Sequence, residues 1–143
     1  MKIFDTFKIS ASGLTAEKMR MDTVASNIAN ATTTRTEEGG PYRRKIAVFR
    51  ENLEKELDRI SGQSETVSRG VKVDSIIEDP TPFRLVYDPM HPDANEEGYV
   101  EMPNVNVLNE MVDMIAATRA YEANVTALNA SKAMFLKALE IGR

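Results

Sequence analysis

Residues 106–141 read NVLNEMVDMIAATRAYEANVTALNASKAMFLKALEI. Val107, Met111, Met114, Thr118, Tyr121, Val125, Leu128, Lys132, Phe135 and Leu139 recur with alternating spacings of four and three, which puts them on one narrow seam of an α-helix. A second line of small residues runs beside it: Ala116, Ala120, Ala123, Ala127 and Ala130, then Met134. Alanine lets another backbone come close, so this helix is expected to have neighbours on two sides. Asn106 is the expected N-cap, Glu110 favours the first turn, and Lys137 with Gly142 closes the far end.

The first thirty residues repeat the design. Phe4, Phe7, Ala11, Leu14, Lys18, Met21, Ala25 and Ile28 fall on one seam, interrupted only by Lys18, whose stem can snorkel. Asp5 or Thr6 is the expected N-cap and Asn30 the stop. Such a helix is about 24 residues, roughly 36 Å long. Spacing alone leaves two readings open. The helices form a plain two-helix core against a small domain, or they are paired coiled-coil arms that pack into an oligomer. Their separation to opposite ends of the chain and the two apolar faces of the second helix favour the arms.

Between the ends the period changes. Residues 32–41 are a polar loop by composition, and Tyr42–Phe49 reads as a strand. Phe49, Leu53, Leu57 and Ile60, with the Glu51/Lys55 pair, predict a short charged helix. Residues 61–70 read as a Ser/Gly turn, Val71–Ile77 as a strand, Phe83–Tyr87 as a strand in a Pro-punctuated stretch, and 93–104 as an acidic loop. The expected fold class is α+β: long N- and C-terminal helices paired as a coiled coil, with a small β-rich insertion. The expected division is 1–31 with 104–143 as the helical part and 32–103 as the insertion.

With 143 residues the chain can form one domain, or a small domain with long helical arms. A net charge of −4 argues against generic nucleic-acid binding. Zero Cys removes disulfides, thiolate catalysis and Cys-ligated zinc. No run approaches the ~20 apolar residues of a membrane span, and Met1–Phe7 shows no apolar core of a cleavable signal. No catalytic constellation, phosphate loop or paired-His motif is present. His91, the only histidine, lies in a Pro-flanked turn. Asp93–Gly98 imitates the start of a calcium loop, but the twelfth position is Asn104 where a bidentate Glu is needed. Gly98 is instead expected to supply a positive φ in a solvated acidic turn. Arg43-Arg44-Lys45 lacks an aromatic platform and reads as a salt-bridged surface or a subunit contact. No catalytic residue, cofactor or metal is therefore expected. Asn27, Asn124 and Asn129 lie within helical stretches, where Asn is unfavourable unless hydrogen-bonded, so they are candidate inter-helix or inter-subunit contacts.

Ser12-Gly-Leu-Thr-Ala16 and Ser26-Asn-Ile-Ala-Asn-Ala-Thr-Thr33 resemble the N-terminal signature of flagellar rod and hook axial proteins, and Arg119-Ala-Tyr-Glu-Ala-Asn124 is similar to their C-terminal one. Gly40–Lys45, Pro82–Pro89, Glu97–Val100, Pro103–Val107 and Ala138–Gly142 narrow the likeness to proximal-rod members of that family. It covers nearly the whole chain apart from about residues 51–66. Glu17 departs from the Gln often found there, which changes the charge of one helix face. The resemblance implies a structural subunit of the flagellar basal-body rod. It would be exported unfolded by the flagellar type III apparatus without a cleavable signal, and polymerise through its terminal helices into a hollow shaft across the periplasm. It implies as partners further copies of the chain, the other proximal and distal rod subunits, base-ring or rod-junction proteins and the export apparatus, with no nucleic acid and no membrane insertion. Leu14, Met21, Asn27, Ile28, Asn30, Met111, Met114, Ala116, Ala120, Tyr121, Ala123, Asn124, Ala127 and Leu128 are the assembly residues expected on the two helices. The competing readings are another axial protein of the same superfamily and a coiled-coil adaptor module.

The alanine line is the sharpest of these expectations. Leu has nearly the helix propensity of Ala, whereas bulk forced into a close helix contact costs about 1–3 kcal/mol per site. Ala123→Leu should leave expression, helicity and export intact and block rod assembly, giving non-motile cells. Normal swimming and normal rod yield would remove the alanine line from any interface.

Overall fold

The computed structural model describes residues 3–37, 39–57 and 64–141, with side chains described for 5–37, 39–53 and 68–141. In chain order the elements are α1 (Ile3–Ala29), β1 (Lys45–Leu57), β2 (Ser64–Glu78), β3 (Arg84–Tyr87), β4 (Tyr99–Met102) and α2 (Val107–Ile141). The fold is α+β, with a long helix at each end and two small two-stranded sheets between them.

α2 starts and α1 stops where their sequences ask, but α1 begins at Ile3, so Asp5 and Thr6, the expected caps, lie inside its first turns, with Asp5 placed where a carboxylate suits the helix N-terminus. Asn106 Oδ1 accepts the Leu108 and Asn109 amides at 3.0 and 3.3 Å, capping α2. Asn30 terminates α1: its side-chain amide donates to Ser26 O at 2.9 Å, and its carbonyl and side-chain oxygens take the Thr33 amide and hydroxyl. The β-branched Thr32-Thr33-Thr34 run then disfavours further helix.

The charged helix expected over Phe49, Leu53 and Leu57 is not formed. Residues 49–57 belong to β1, residues 64–70 to β2 and not to a turn, and Ile60 lies outside the described residues. A period of four with one Glu/Lys pair is a weak local preference, and a neighbouring strand overrides it by satisfying the backbone along its length. Arg50 and Asp74, 2.7 Å apart across the β1–β2 ribbon, add a cross-strand ion pair. The Asp79 amide, just past β2, donates to the Arg44 carbonyl, just before β1, at 2.8 Å, so the strands run antiparallel. The acidic loop expected at 93–104 contains β4, which pairs antiparallel with β3: Arg84 faces Met102, Leu85 faces Glu101, Val86 faces Val100 and Tyr87 faces Tyr99. Gly98 takes φ +83° in the turn before β4.

The described residues form two compact units. One draws on Met1–Met19, Val48–Ser75 and Ala117–Arg143; the other on Arg20–Ala47 and Ile76–Ala116. In the first, Ala16 and Ala117 are buried. Arg69 bridges to Asp5 at 2.7 Å, and Ser12 Oγ accepts the Val71 amide at 3.1 Å, tying β2 to α1. Between those two anchors Gly70 turns with φ +102°, and a Cβ there would collide with Ser12. Gly13 brings α1 so close to α2 that a Cβ would stand 3.1 Å from the Asn124 side chain. In the second unit Val24 and Val100 are buried, Ala31, Tyr42 and Val105 form a small apolar cluster, and most other buried side chains are polar.

The inward faces of the helices are rotated from the expected seams, in the same way in both. Phe7, Leu14, Met21 and Ile28 keep half-buried places, but Ala11, Lys18 and Ala25 are exposed; their predecessors Ser10 and Val24 are buried, and Glu17 is half-buried. On α2, Met114, Tyr121, Leu128 and Phe135 are half-buried, while Met111, Thr118 and Lys132 face outward and Glu110, Ala117 and Ser131 replace them. Alternate seam positions are thus one residue earlier, except that Val125 stays half-buried beside Asn124, and all of the shifted positions but Val24 carry a polar or small side chain.

The Gly13–Asn124 approach sets a measurable conflict. Gly13→Ala gains about 0.5–1 kcal/mol of helix stability but forces Asn124 to yield. Thermal unfolding of the wild type, both single variants and the pair with Asn124→Ala should show a larger gain from Gly13→Ala when Asn124 is absent. Equal gains in both backgrounds would show that the two residues do not meet.

Candidate functional site

The second unit is organised by one side chain at the end of α1. Asn27 is 1% exposed. Its Nδ2 donates to the Lys45 carbonyl at 2.8 Å and to Glu110 Oε2 at 2.9 Å; its Oδ1 accepts the Lys45 amide at 2.9 Å and the Tyr42 hydroxyl at 3.0 Å. Both donors and both acceptor directions are used, so the amide is fully satisfied without water. Within a helix only a long-range partner set makes Asn acceptable. Here it reads the backbone of Lys45 on both sides, as a neighbouring strand would.

Glu110, the largest fully buried side chain, is the second member. Its Oε1 takes the Arg44 Nε at 2.6 Å. Arg44 also reaches Asp79 at 3.3 Å and Asp113 at 3.5 Å, and its amide donates to Asn104 Oδ1 at 2.8 Å. Burial works against the Arg44 charge, but the Glu110 and Asp79 carboxylates outweigh it and push the guanidinium above its ordinary value. Asp79 is held below the usual carboxylate range, first by the Thr81 amide and hydroxyl at 3.0 and 2.7 Å, then by Arg44. Asn104 closes the loop by donating to Thr81 Oγ1 at 2.9 Å and to the Asp79 and Thr81 carbonyls. Arg43, stacked 4.3 Å over Phe83, donates to the same two carbonyls. The end of α1, the start of β1, the end of β2 and the start of α2 are thereby fastened together. Arg43-Arg44-Lys45 is spent on this joint.

Two outward surfaces of this unit group large apolar side chains. On α2, Leu108, Met111, Val112 and Ile115 are 70%, 52%, 59% and 62% exposed. Their i, i+3, i+4, i+7 spacing makes one stripe, opposite the buried Glu110 and Ala117. On the β3–β4 ribbon Leu85, Tyr87, Tyr99 and Glu101 share the exposed face while Val100 points inward, and Met90 beyond β3 is 92% exposed. Tyr87 and Tyr99 meet edge to face with ring centres 5.3 Å apart.

The residues expected to take part in assembly are placed as follows. Leu14, Met21, Ile28, Asn30, Met114, Ala120, Tyr121, Asn124 and Leu128 are half-buried, and Asn27 is buried in the joint. Met111, Ala116, Ala123 and Ala127 are exposed. The sequence carries no sign of Asp79, shows Tyr42 only as the start of a strand and part of a family motif, and shows Glu110 only as a first-turn acid. A polar residue at an inward heptad place, with Arg and Asn elsewhere to answer it, is the signal that identifies such a joint. His91 lies in a turn, its Nδ1 accepting the Asp93 amide at 3.1 Å. Among the described residues no group of three or more His, Asp or Glu has metal-binding geometry.

Residues 7–35 match the family described as flagella basal body rod protein, and residues 96–141 match the one described as flagellar basal body rod FlgEFG protein C-terminal. The chain is similar to the flagellar basal-body rod protein FlgC of Bacillus subtilis, 51% identical over the full length of both chains. It is 45% identical to FlgC of Borreliella burgdorferi, covering 99% of this chain and 98% of that one. To FlgC of Salmonella typhimurium it is 43% identical, again over the full length of both.

Glu110→Ala leaves Arg44 with only its longer contacts to Asp79 and Asp113 and takes a partner from Asn27, and should cost about 2 kcal/mol; Asn27→Ala, which leaves the Lys45 amide and carbonyl unpaired, should cost about 2 kcal/mol. Asp79 has a folded pKa below its unfolded one. Its contribution is therefore complete at neutral pH and is lost as pH falls through the folded value. Asp79→Asn should flatten the acid limb of a urea-unfolding series measured from neutral to acid pH. A Glu110→Ala protein as stable as wild type, or an unchanged acid limb, would contradict this reading of the joint.

Proposed function

This chain belongs to the flagellar basal-body rod protein family and is a structural subunit of that rod; from this premise we propose that it is the proximal-rod subunit, working by polymerisation through its terminal helices. The full-length identity to FlgC proteins carries the proposal, because it includes the central residues 32–103 as well as the terminal signatures.

In this reading 1–31 and 104–143 are the axial part and 32–103 the insertion. α1 and α2 pair as an antiparallel coiled coil, with Phe7, Leu14, Met21 and Ile28 facing Met114, Tyr121, Leu128 and Phe135. Three observations support it: the 3,4 spacing of inward positions on both helices, the Gly13–Asn124 approach, and the Arg20–Asp113 ion pair at 3.3 Å. The chain passes the export apparatus unfolded, and the arms order fully on assembly, since long isolated helices are marginal in water. It stacks with further copies of itself, with other proximal and distal rod subunits and with base-ring or rod-junction proteins. The hollow shaft so formed crosses the periplasm and carries torque. None of these roles asks for a reaction, a cofactor or a nucleic acid.

Immunogold labelling of purified basal bodies tests the placement: label should fall on the proximal rod, and label confined to the hook or to the cytoplasmic face would overturn it. The helix pairing has its own check. Gly13→Cys with Asn124→Cys should cross-link within one chain in assembled rods under mild oxidation, whereas a Cys pair at the outward positions Ala11 and Ile115 should not.

A further inference from the structure

Two unpartnered apolar surfaces on one compact unit raise the question of what covers each. The α2 stripe of Leu108, Met111, Val112 and Ile115 is bordered by the uncharged Asn109 and Ala116; Asp113, the nearby carboxylate, is engaged by Arg20 and Arg44. The β3–β4 face of Leu85, Tyr87 and Tyr99 also carries Glu101, opposite Leu85; exposed Met90 follows three residues beyond Tyr87, and exposed Asp88, Glu96 and Glu97 lie just beyond the strand ends. Large side chains standing together and, Tyr99 aside, more than half exposed are unusual on a protein that works alone, and Tyr and Met are typical of interface centres.

The two surfaces differ in which contacts they permit. Two β3–β4 faces brought together would oppose four carboxylates to the same four, a like-charge arrangement that costs several kcal/mol. Two α2 stripes could meet about a two-fold axis, but that would leave the β3–β4 face of each copy uncovered. A stripe against a β3–β4 face covers both surfaces, and the stripe adds no negative charge to the acidic rim. Each surface is of the order of a few hundred Å², against the ~800 Å² per partner of a stable pairwise interface. A single contact is therefore weak. A chain that offers one surface and accepts at the other makes two such contacts per copy, in a ring or an open series according to the rotation between neighbours.

We propose that Leu108, Met111, Val112 and Ile115 of one copy dock on the Leu85/Tyr87/Tyr99/Met90 face of a second copy of this chain, as a heterologous head-to-tail contact. This rests on the reading of the protein as a polymerising subunit, and it identifies the partner at these two surfaces as another copy and not a different subunit. A weak contact is what a rod subunit needs: the monomer stays dispersed until an assembly site aligns many copies, and the contact then repeats.

A mixing experiment tests it. Ile115→Asp removes the stripe and Leu85→Asp removes the β3–β4 face; both positions are exposed, so folding should be unaffected, which far-UV circular dichroism checks. Met111→Lys and Tyr87→Ser replace them if either loses helicity. In sedimentation-velocity runs over a wide concentration range, wild type should grow beyond a dimer, and each variant alone should remain monomeric, its self-association weakened at least about tenfold. The mixture should form a 1:1 dimer and stop there, because only one intact stripe and one intact face remain. A wild type monomeric at every concentration would overturn the proposal, as would a mixture that stays monomeric. Association that survives Leu85→Asp but not Ile115→Asp would show a two-fold stripe contact instead. Basal-body labelling is independent of this outcome, so a failed docking contact and a failed placement in the rod are told apart.

Discussion

The hydrogen bonds between Asn27 and Lys45 constrain everything around them. A helix ends at Ala29, and sixteen residues later, at Lys45, a strand begins against it. The Asn27 amide holds both the N–H and the C=O of the strand's first residue. Glu110 holds Asn27 from α2, and Arg44 holds Glu110 while touching Asp79 at the end of β2. Four chain segments distant in sequence share one set of bonds, with few apolar side chains to do the same work: the apolar cluster beside it is Ala31, Tyr42 and Val105. In water each such bond contributes only about 1 kcal/mol. Their weight lies in directionality, since a half-satisfied network is worse than none. The joint therefore selects one arrangement of the helix ends and the ribbon roots more sharply than apolar burial could.

That choice suits a chain whose large apolar side chains are turned outward. If Leu108, Met111, Val112 and Ile115 are reserved for contacts between subunits, they cannot also hold the subunit together. A polar joint stabilises the fold without competing for them. The same division explains the thin seams of α1 and α2, where alternate inward places, Val24 aside, carry Ser, Glu, Asn or Ala: a close, bond-directed fit at Gly13 and Asn124 stands in for bulk.

Much of the architecture was legible in the residues, for local reasons. Asn106 and Asn30 mark helix boundaries because side-chain capping is a short-range effect, and the 3,4 period revealed both helices. The terminal signatures and Gly40–Lys45 pointed to the rod family. What stayed hidden was long-range. The strand over Phe49–Leu57 depends on β2, which a local period of four cannot reveal. The one-residue rotation of both seams comes from polar residues that are inward only because they answer each other across the chain: Glu110 has meaning through Arg44 and Asn27. The segments that carry the family likeness, 26–33, 40–45 and 103–107, proved to be the segments that meet in the joint, a physical reason for their shared appearance that no single stretch discloses.

The end of α1, the ribbon roots and the start of α2 are fastened at one point and should open together. Native-state hydrogen exchange on the purified chain measures this directly. The account predicts that the slow amides of Lys45, Asp79 and Glu110 share one opening free energy and one denaturant dependence, and that Asn27→Ala lowers all three by the same amount. Three unrelated opening energies, or a change confined to Lys45, would show that the segments are held separately and would contradict it.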